Sequence, residues 1–143
     1  MKTARQILAA KPQQSIYKVE PSMTVFQALQ LMAEKDIGAV LVMEGNKLIG
    51  IFTERDYARK VVLQGKTSAG TPIGEIMTRK VMFVKPDRTL DECMALMSEK
   101  RLRHLPVLDA GQVLGVLSVT DLVRETIAEQ QFVIQQMENY IMG

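Results

Sequence analysis

The chain has 143 residues, 47% hydrophobic and 24% charged, values that exclude disorder and fit one compact domain or two small halves sharing a core. Lys and Arg number 18 against 16 Asp and Glu, and the net charge of +2 is too small to predict nucleic-acid or membrane-surface binding without a basic patch, which the sequence lacks. One cysteine, Cys93, and one histidine, His104, exclude an intrachain disulfide and a structural zinc site built from these residues.

In chain order, residues 1–15 are expected to form a helical lead-in. Met1 to Leu8 lacks the apolar run of a signal peptide, and no stretch is apolar for long enough to span a bilayer, so a soluble cytoplasmic protein is expected. Ile16 to Val19 is β-prone and ends before Pro21. Thr24 then caps a helix whose apolar face carries Ala28, Leu29, Leu31 and Met32, with Gly38 marking its end. Ala39–Met43 and Leu48–Phe52 are apolar runs separated by the turn residues Glu44, Gly45 and Asn46, which predicts a β-hairpin. Thr53 opens a helix to about Leu63. Residues 65–79 read as a linker with a short helical turn at Ile73–Met77.

The order then recurs: a strand over Val81–Val84, a helix over Leu90–Lys100, strands over His104–Leu108 and Val113–Leu117, and a helix from Asp121 to about Tyr140. The recurrence is visible residue by residue at an offset of 65. Pro21 matches Pro86, Thr24 matches Thr89, Leu31-Met32 matches Leu96-Met97, Gly50 matches Gly115 and Asp56 matches Asp121. Two copies are too few for a solenoid. The expected architecture is α/β (α+β): two β-α-β-β-α units packed as a pseudo-twofold pair, copy one over 16–64, linker over 65–79, copy two over 80–143. The last helix outruns its counterpart, and its apolar stripe of Ile127, Phe132, Ile134, Met137 and Ile141 could take a partner helix.

Both copies share a segment of chemical interest. Gly50-Ile51-Phe52-Thr53-Glu54-Arg55-Asp56 and Gly115-Val116-Leu117-Ser118-Val119-Thr120-Asp121 each place a strand glycine three positions before a hydroxyl and an aspartate three positions after it. One reading is a capping box, with hydroxyl and acid satisfying backbone amides at a helix start. The other is a nucleotide site, in which the glycine permits close approach, the helix amides and hydroxyl receive phosphate, and the aspartate accepts from a ribose diol. The copies differ upstream, where copy two has Arg103-His104-Leu105-Pro106 and copy one has Gly38-Ala39-Val40-Leu41. Arg103 and His104 can each donate charge-assisted or neutral hydrogen bonds, and His104 also reads as an ordinary surface or core histidine. In copy one Arg55 and Arg59 share a helix face beside Lys60, as phosphate contacts or as an ordinary solvated face. The methionines sit at core spacing, and Cys93 falls on an apolar helix face as an inert buried thiol.

The β-α-β-β-α order, the doubled glycine–hydroxyl–aspartate segment and Arg103-His104-Leu105-Pro106-Val107 resemble the cystathionine β-synthase (CBS) domain family. Nearly the whole chain is similar to stand-alone bacterial proteins made of one CBS pair, a Bateman module. The resemblance implies an adenosine-containing ligand (AMP, ADP, ATP, NAD(H) or S-adenosylmethionine) in a cleft between the copies, with no metal required. It implies ribose contacts from Asp56 and Asp121, phosphate contacts from Thr53 and Ser118, and a base pocket lined by Ile16, Tyr17, Val81 and Met82. It also implies a homodimer of pairs acting on a regulated protein partner. The set of Arg55, Arg59, Arg103 and His104 favours a mono- or diphosphate or a dinucleotide. A regulatory nucleotide-binding module is thus expected. The alternative is a structural dimerisation module without ligand; catalysis is not expected, because no nucleophile–base pair is evident.

Overall fold

The computed structural model describes residues 1–12 and 15–142. Residues 13 and 14 of the expected lead-in and residue 143 of the expected second copy lie outside the described residues. The elements are α1 (Ala4–Ala10), β1 (Lys18–Val19), α2 (Val25–Lys35), β2 (Ala39–Glu44), β3 (Lys47–Thr53), α3 (Glu54–Asp56) running into a π-helical segment (Tyr57–Val62), α4 (Ile73–Ile76), α5 (Leu90–Lys100), β4 (His104–Asp109), β5 (Gln112–Ser118) and α6 (Val119–Met142). Contacts divide them into a first unit, Ile16–Met82, and a second unit in which Met1–Ser15 joins Phe83–Gly143. The mixed α/β class and the long C-terminal helix match the expectation.

In the first unit β1 pairs parallel with β2, and β2 pairs antiparallel with β3. Side chains from one face of this small sheet pack with α2, the π-helical segment and α4 to build a core of Val19, Val25, Ala28, Met32, Val40, Val42, Phe52, Val61, Ile73 and Ile76. In the second unit β4 and β5 form the equivalent hairpin, and Leu90, Cys93, Met97, Leu105, Val107, Leu117 and Leu122 build the core. The repeat extends to irregularities. The ladder slips between Val42 and Met43 and again between Val107 and Leu108, at the same place in each copy. Thr24 and Thr89 both form capping boxes, with Gln27 and Glu92. Burial raises the pKa of the Cys93 thiol, in keeping with a core role.

Three local expectations are corrected. Helix α2 ends at Lys35, and its left-handed residue is Asp36 (φ 53°), not Gly38; the Ile37 amide then closes the turn on the Met32 carbonyl at 3.0 Å. Asp tolerates this conformation because its short polar side chain bonds locally. Arg101 takes the same place in copy two (φ 54°). The strand expected over Val81–Val84 is reduced to one parallel bridge, Val84 to Val107, since only Val84 there is buried against the core. The helix expected from Thr53 to Leu63 makes one α turn and then widens, with the Leu63 amide bonding the Ala58 carbonyl five residues back.

A third repeated element lies outside the offset of 65. In the first unit the Ile73 and Gly74 amides bond the Met23 and Pro21 carbonyls, and the Val25 amide bonds the Thr71 carbonyl. In the second unit the Ala4 and Arg5 amides bond the Arg88 and Pro86 carbonyls, and the Leu90 amide bonds the Lys2 carbonyl. Residues 2–9 therefore repeat residues 71–78 at an offset of 69. Ile7 and Ile76 are both buried in their cores. The helix that precedes copy one in sequence packs within the second unit, and the one that precedes copy two packs within the first.

Candidate functional site

Each glycine–hydroxyl–aspartate segment ends a strand and starts a helix. In the first unit the Thr53 amide donates to Asp56 Oδ2 (3.0 Å) and the Asp56 amide donates to Thr53 Oγ1 (3.1 Å). In the second unit the Ser118 amide donates to Asp121 Oδ2 (2.8 Å) and the Asp121 amide to Ser118 Oγ (3.2 Å). Both segments are thus complete capping boxes. The helix amides are less available than the nucleotide reading supposes. The Glu54 amide bonds the Gly38 carbonyl at 3.1 Å and the Val119 amide bonds the Arg103 carbonyl at 3.0 Å, so two amides at each helix start are met internally.

The glycines do permit close approach, but within these units the neighbour is the chain itself. A Cβ on Gly50 would lie 2.6 Å from Met77 Sδ, and a Cβ on Gly115 would lie 2.8 Å from Leu8 Cδ2. Met77 and Leu8 are equivalent residues of the offset-69 element. The glycines are thus explained by helix–strand packing.

Both carboxylates are nearly buried, with side-chain exposures of 10% for Asp56 and 6% for Asp121, and each is held by a lysine. Lys60 Nζ lies 3.0 Å from Asp56 Oδ1 and also reaches the Ile76 carbonyl and Thr78 Oγ1, both at 3.2 Å. Thr78 Oγ1 itself donates to Asp56 Oδ1 at 3.1 Å. In the second unit the cation is Lys11, just past α1, 2.9 Å from Asp121 Oδ2 and 2.7 Å from the Val116 carbonyl. Burial pushes the Asp121 carboxyl up, but the Ser118 amide and the Lys11 ammonium outweigh it and hold the group below the usual aspartate range. Glu125, which occupies the Lys60 position of copy two, is buried and paired with Lys2 at 2.7 Å.

The structure brings Arg103, His104, Ser118 and Asp121 together in the second unit: His104 faces Ser118 across the β4–β5 ladder, and the Arg103 carbonyl anchors the first turn of α6. Arg103 is exposed and His104 half-buried. In the first unit Thr53 and Asp56 are joined, with Arg55 on the exposed side of the same turn. Tyr17 packs on the first core, its ring 5.7 Å below Lys35 Nζ, and its carbonyl accepts from the Leu41 amide, while Ile16 is exposed. Val81 and Met82 are half-buried at the end of the first unit. Sequence reasoning missed Lys11 and Thr78, and it noted Lys60 beside Arg55 and Arg59 without its pairing to Asp56. The signal for Lys11 and Thr78 was the likeness of Gln6-Ile7-Leu8 to Glu75-Ile76-Met77, which an alignment at one offset does not reveal. Among the described residues no cluster of His, Cys, Asp or Glu is arranged to hold a metal ion, and no helix is long and apolar enough to cross a membrane.

Comparison with known proteins gives the same doubled pattern. The CBS domain model matches residues 4–63 and 73–127. A CBS-domain protein from Burkholderia ambifaria MC40-6 has a similar structure, with a TM-score of 0.86 and 55% identity over 90% of this chain and 96% of that one. The CBS domain pair of protein MJ0100, solved with 5-methylthioadenosine and S-adenosyl-L-methionine, is similar with a TM-score of 0.79 and 25% identity over 90% of this chain and 98% of that one. The mitochondrial CBS domain-containing protein CBSX3 of Arabidopsis thaliana is 38% identical over 125 residues, which cover 84% of this chain but only 61% of that relative. Two matched domains and these structural likenesses agree with the doubled β-α-β-β-α reading, and the chain belongs to the CBS-domain family.

Proposed function

We propose that the chain is a non-catalytic regulatory module that binds an adenine nucleotide, AMP, ADP, ATP or NAD(H), in a cytoplasmic setting. The observation that carries this reading is the buried, ionised Asp121 at the β5–α6 turn beside Arg103 and His104. A buried carboxylate is a strong acceptor for a ribose diol, and the neighbouring cation and imidazole suit phosphate. The adenosine ligands held by the MJ0100 pair support the same class. Ser118 would meet phosphate, and Ile16, Tyr17, Val81 and Met82 would contact the base. A thermal-shift screen against AMP, ADP, ATP, NAD, NADH, GMP and S-adenosylmethionine tests the reading. A ligand at a hundredfold excess over its Kd adds about 2.7 kcal/mol to the folded state. Selective stabilisation by the adenine nucleotides is expected; no shift with any compound would overturn it.

One observation favours a second reading, a structural dimerisation module without ligand: both hydroxyl–aspartate pairs are already consumed as capping boxes. Under either reading we propose that the chain is a homodimer through α6, where Ile127, Phe132, Ile134, Met137 and Ile141 are all exposed. An unpartnered apolar stripe of this size marks an association surface. Sedimentation should show a dimer at micromolar concentration, reduced to monomer by Ile134→Asp with Met137→Asp; a monomeric wild type would contradict this.

A further inference from the structure

Resting on the nucleotide reading, we infer that the two copies are not equivalent as sites: Asp121 is open to a ribose diol and Asp56 is closed by its own unit. Exposure does not separate them, since both side chains are nearly buried. Their hydrogen-bond donors do. An ionised carboxylate offers about four acceptor positions. Asp56 has four donors within range, the Thr53 amide (3.0 Å) and Thr53 Oγ1 (3.2 Å) on Oδ2, and Lys60 Nζ (3.0 Å) and Thr78 Oγ1 (3.1 Å) on Oδ1. A diol at Asp56 must displace Lys60 or Thr78, and stripping a cation from a buried carboxylate is costly.

Asp121 has its two shortest contacts on Oδ2, the Ser118 amide at 2.8 Å and Lys11 Nζ at 2.9 Å, and the Ser118 hydroxyl bonds the same carboxylate. Its Oδ1 lies 3.4 Å from Arg124 Nη1, beyond the usual hydrogen-bond range, and the Arg124 side chain is 48% exposed and so displaceable into solvent.

The asymmetry is written in two positions. Thr78 corresponds to Ala9 in the offset-69 repeat, and alanine has no hydroxyl to donate. Lys60 corresponds to Glu125 in the offset-65 repeat, which carries the opposite charge and is engaged by Lys2. Copy two therefore lacks both groups that fill Oδ1 in copy one. The ammonium that replaces them, Lys11, arrives on Oδ2 from α1 and leaves Oδ1 for a hydroxyl. Against the burial that raises it, the Ser118 amide and then Lys11 hold the Asp121 carboxyl below the usual aspartate range, which suits an acceptor for diol protons.

Calorimetric titration of the full chain with AMP tests the assignment. The expected result is one AMP per chain, lost by at least tenfold in affinity in Asp121→Asn. Because that variant also alters a capping box, Ala9→Thr provides a second test. It leaves the box intact, supplies the hydroxyl that closes Oδ1 in copy one, and is expected to weaken AMP binding about tenfold. Two AMP per chain, an Asp121→Asn protein that still binds one AMP at wild-type affinity, or an Ala9→Thr protein with unchanged affinity would each overturn the asymmetry while leaving the nucleotide reading in place. If the wild type binds no adenosine compound, the nucleotide reading itself falls and the asymmetry with it.

Discussion

Replacing Ile7 by alanine is expected to destabilise the protein by roughly 2–5 kcal/mol, the range for truncating a large aliphatic side chain in a packed core. Ile7 is 1% exposed in the second core, with Ala4 and Leu90 in the same cluster, although more than seventy residues separate it in sequence from Val84 and the core residues that follow. A lead-in segment ahead of the first copy would ordinarily be expected to contribute little, because peripheral segments with few buried contacts fray. Here the segment is tied down by the Ala4, Arg5 and Leu90 backbone bonds, so Ile7 behaves as a core residue. Urea denaturation of the wild type and Ile7→Ala proteins measures it. A loss below about 1 kcal/mol, the level of many surface changes, would mean that α1 is not part of the second unit.

Lys11→Met is expected to cost about 3 kcal/mol near neutral pH, the lower end for breaking a buried ion pair by removing one partner. The Asp121 side chain is 6% exposed and would keep the Ser118 amide and hydroxyl and the long Arg124 contact, with Lys11 gone. The pH dependence carries a definite sign. In the wild type the folded Asp121 carboxyl sits below its ordinary value of 3.8, so the pair stabilises the fold above that value and the contribution is lost as pH falls through the lower, folded one. Without Lys11 the burial that raises this group is less opposed, its pKa rises, and acid destabilisation starts at a higher pH. The stability gap between the two proteins should therefore narrow in acid, where Asp121 is protonated in both. Denaturation midpoints at pH 7 and in acid check it; a gap below 0.5 kcal/mol at pH 7, or one that widens in acid, would contradict the pairing.

Local chemistry made much of the fold legible. The hairpin turns, the Thr24 and Thr89 caps and the recurrence at an offset of 65 are all short-range signals, and the structure contains each of them. The hydroxyl–aspartate segments were legible as chemistry, and the capping geometry was one of their two readings. What escaped were relations set by tertiary packing. The residue that faces Gly115 is Leu8 of α1 and the cation on Asp121 is Lys11 just past that helix, both over a hundred positions away. The first strand of copy two gave way because a single buried valine, Val84, does not sustain a ladder. Asp36 ends α2 in place of Gly38, because a short polar side chain tolerates the left-handed conformation that a glycine would otherwise supply. The swapped order of α1 and α4 hides from any search at a single offset, since one spacing is 65 and the other 69.

The most direct test of the account is calorimetric titration of the purified chain with AMP and, in parallel, with its 2′,3′-dideoxy analogue. A site whose buried carboxylate accepts from the ribose diol leaves that acceptor unmatched when the hydroxyls are absent. AMP is expected to bind, and the analogue to bind at least tenfold more weakly. Equal affinity for the two, or no heat from either, would contradict it.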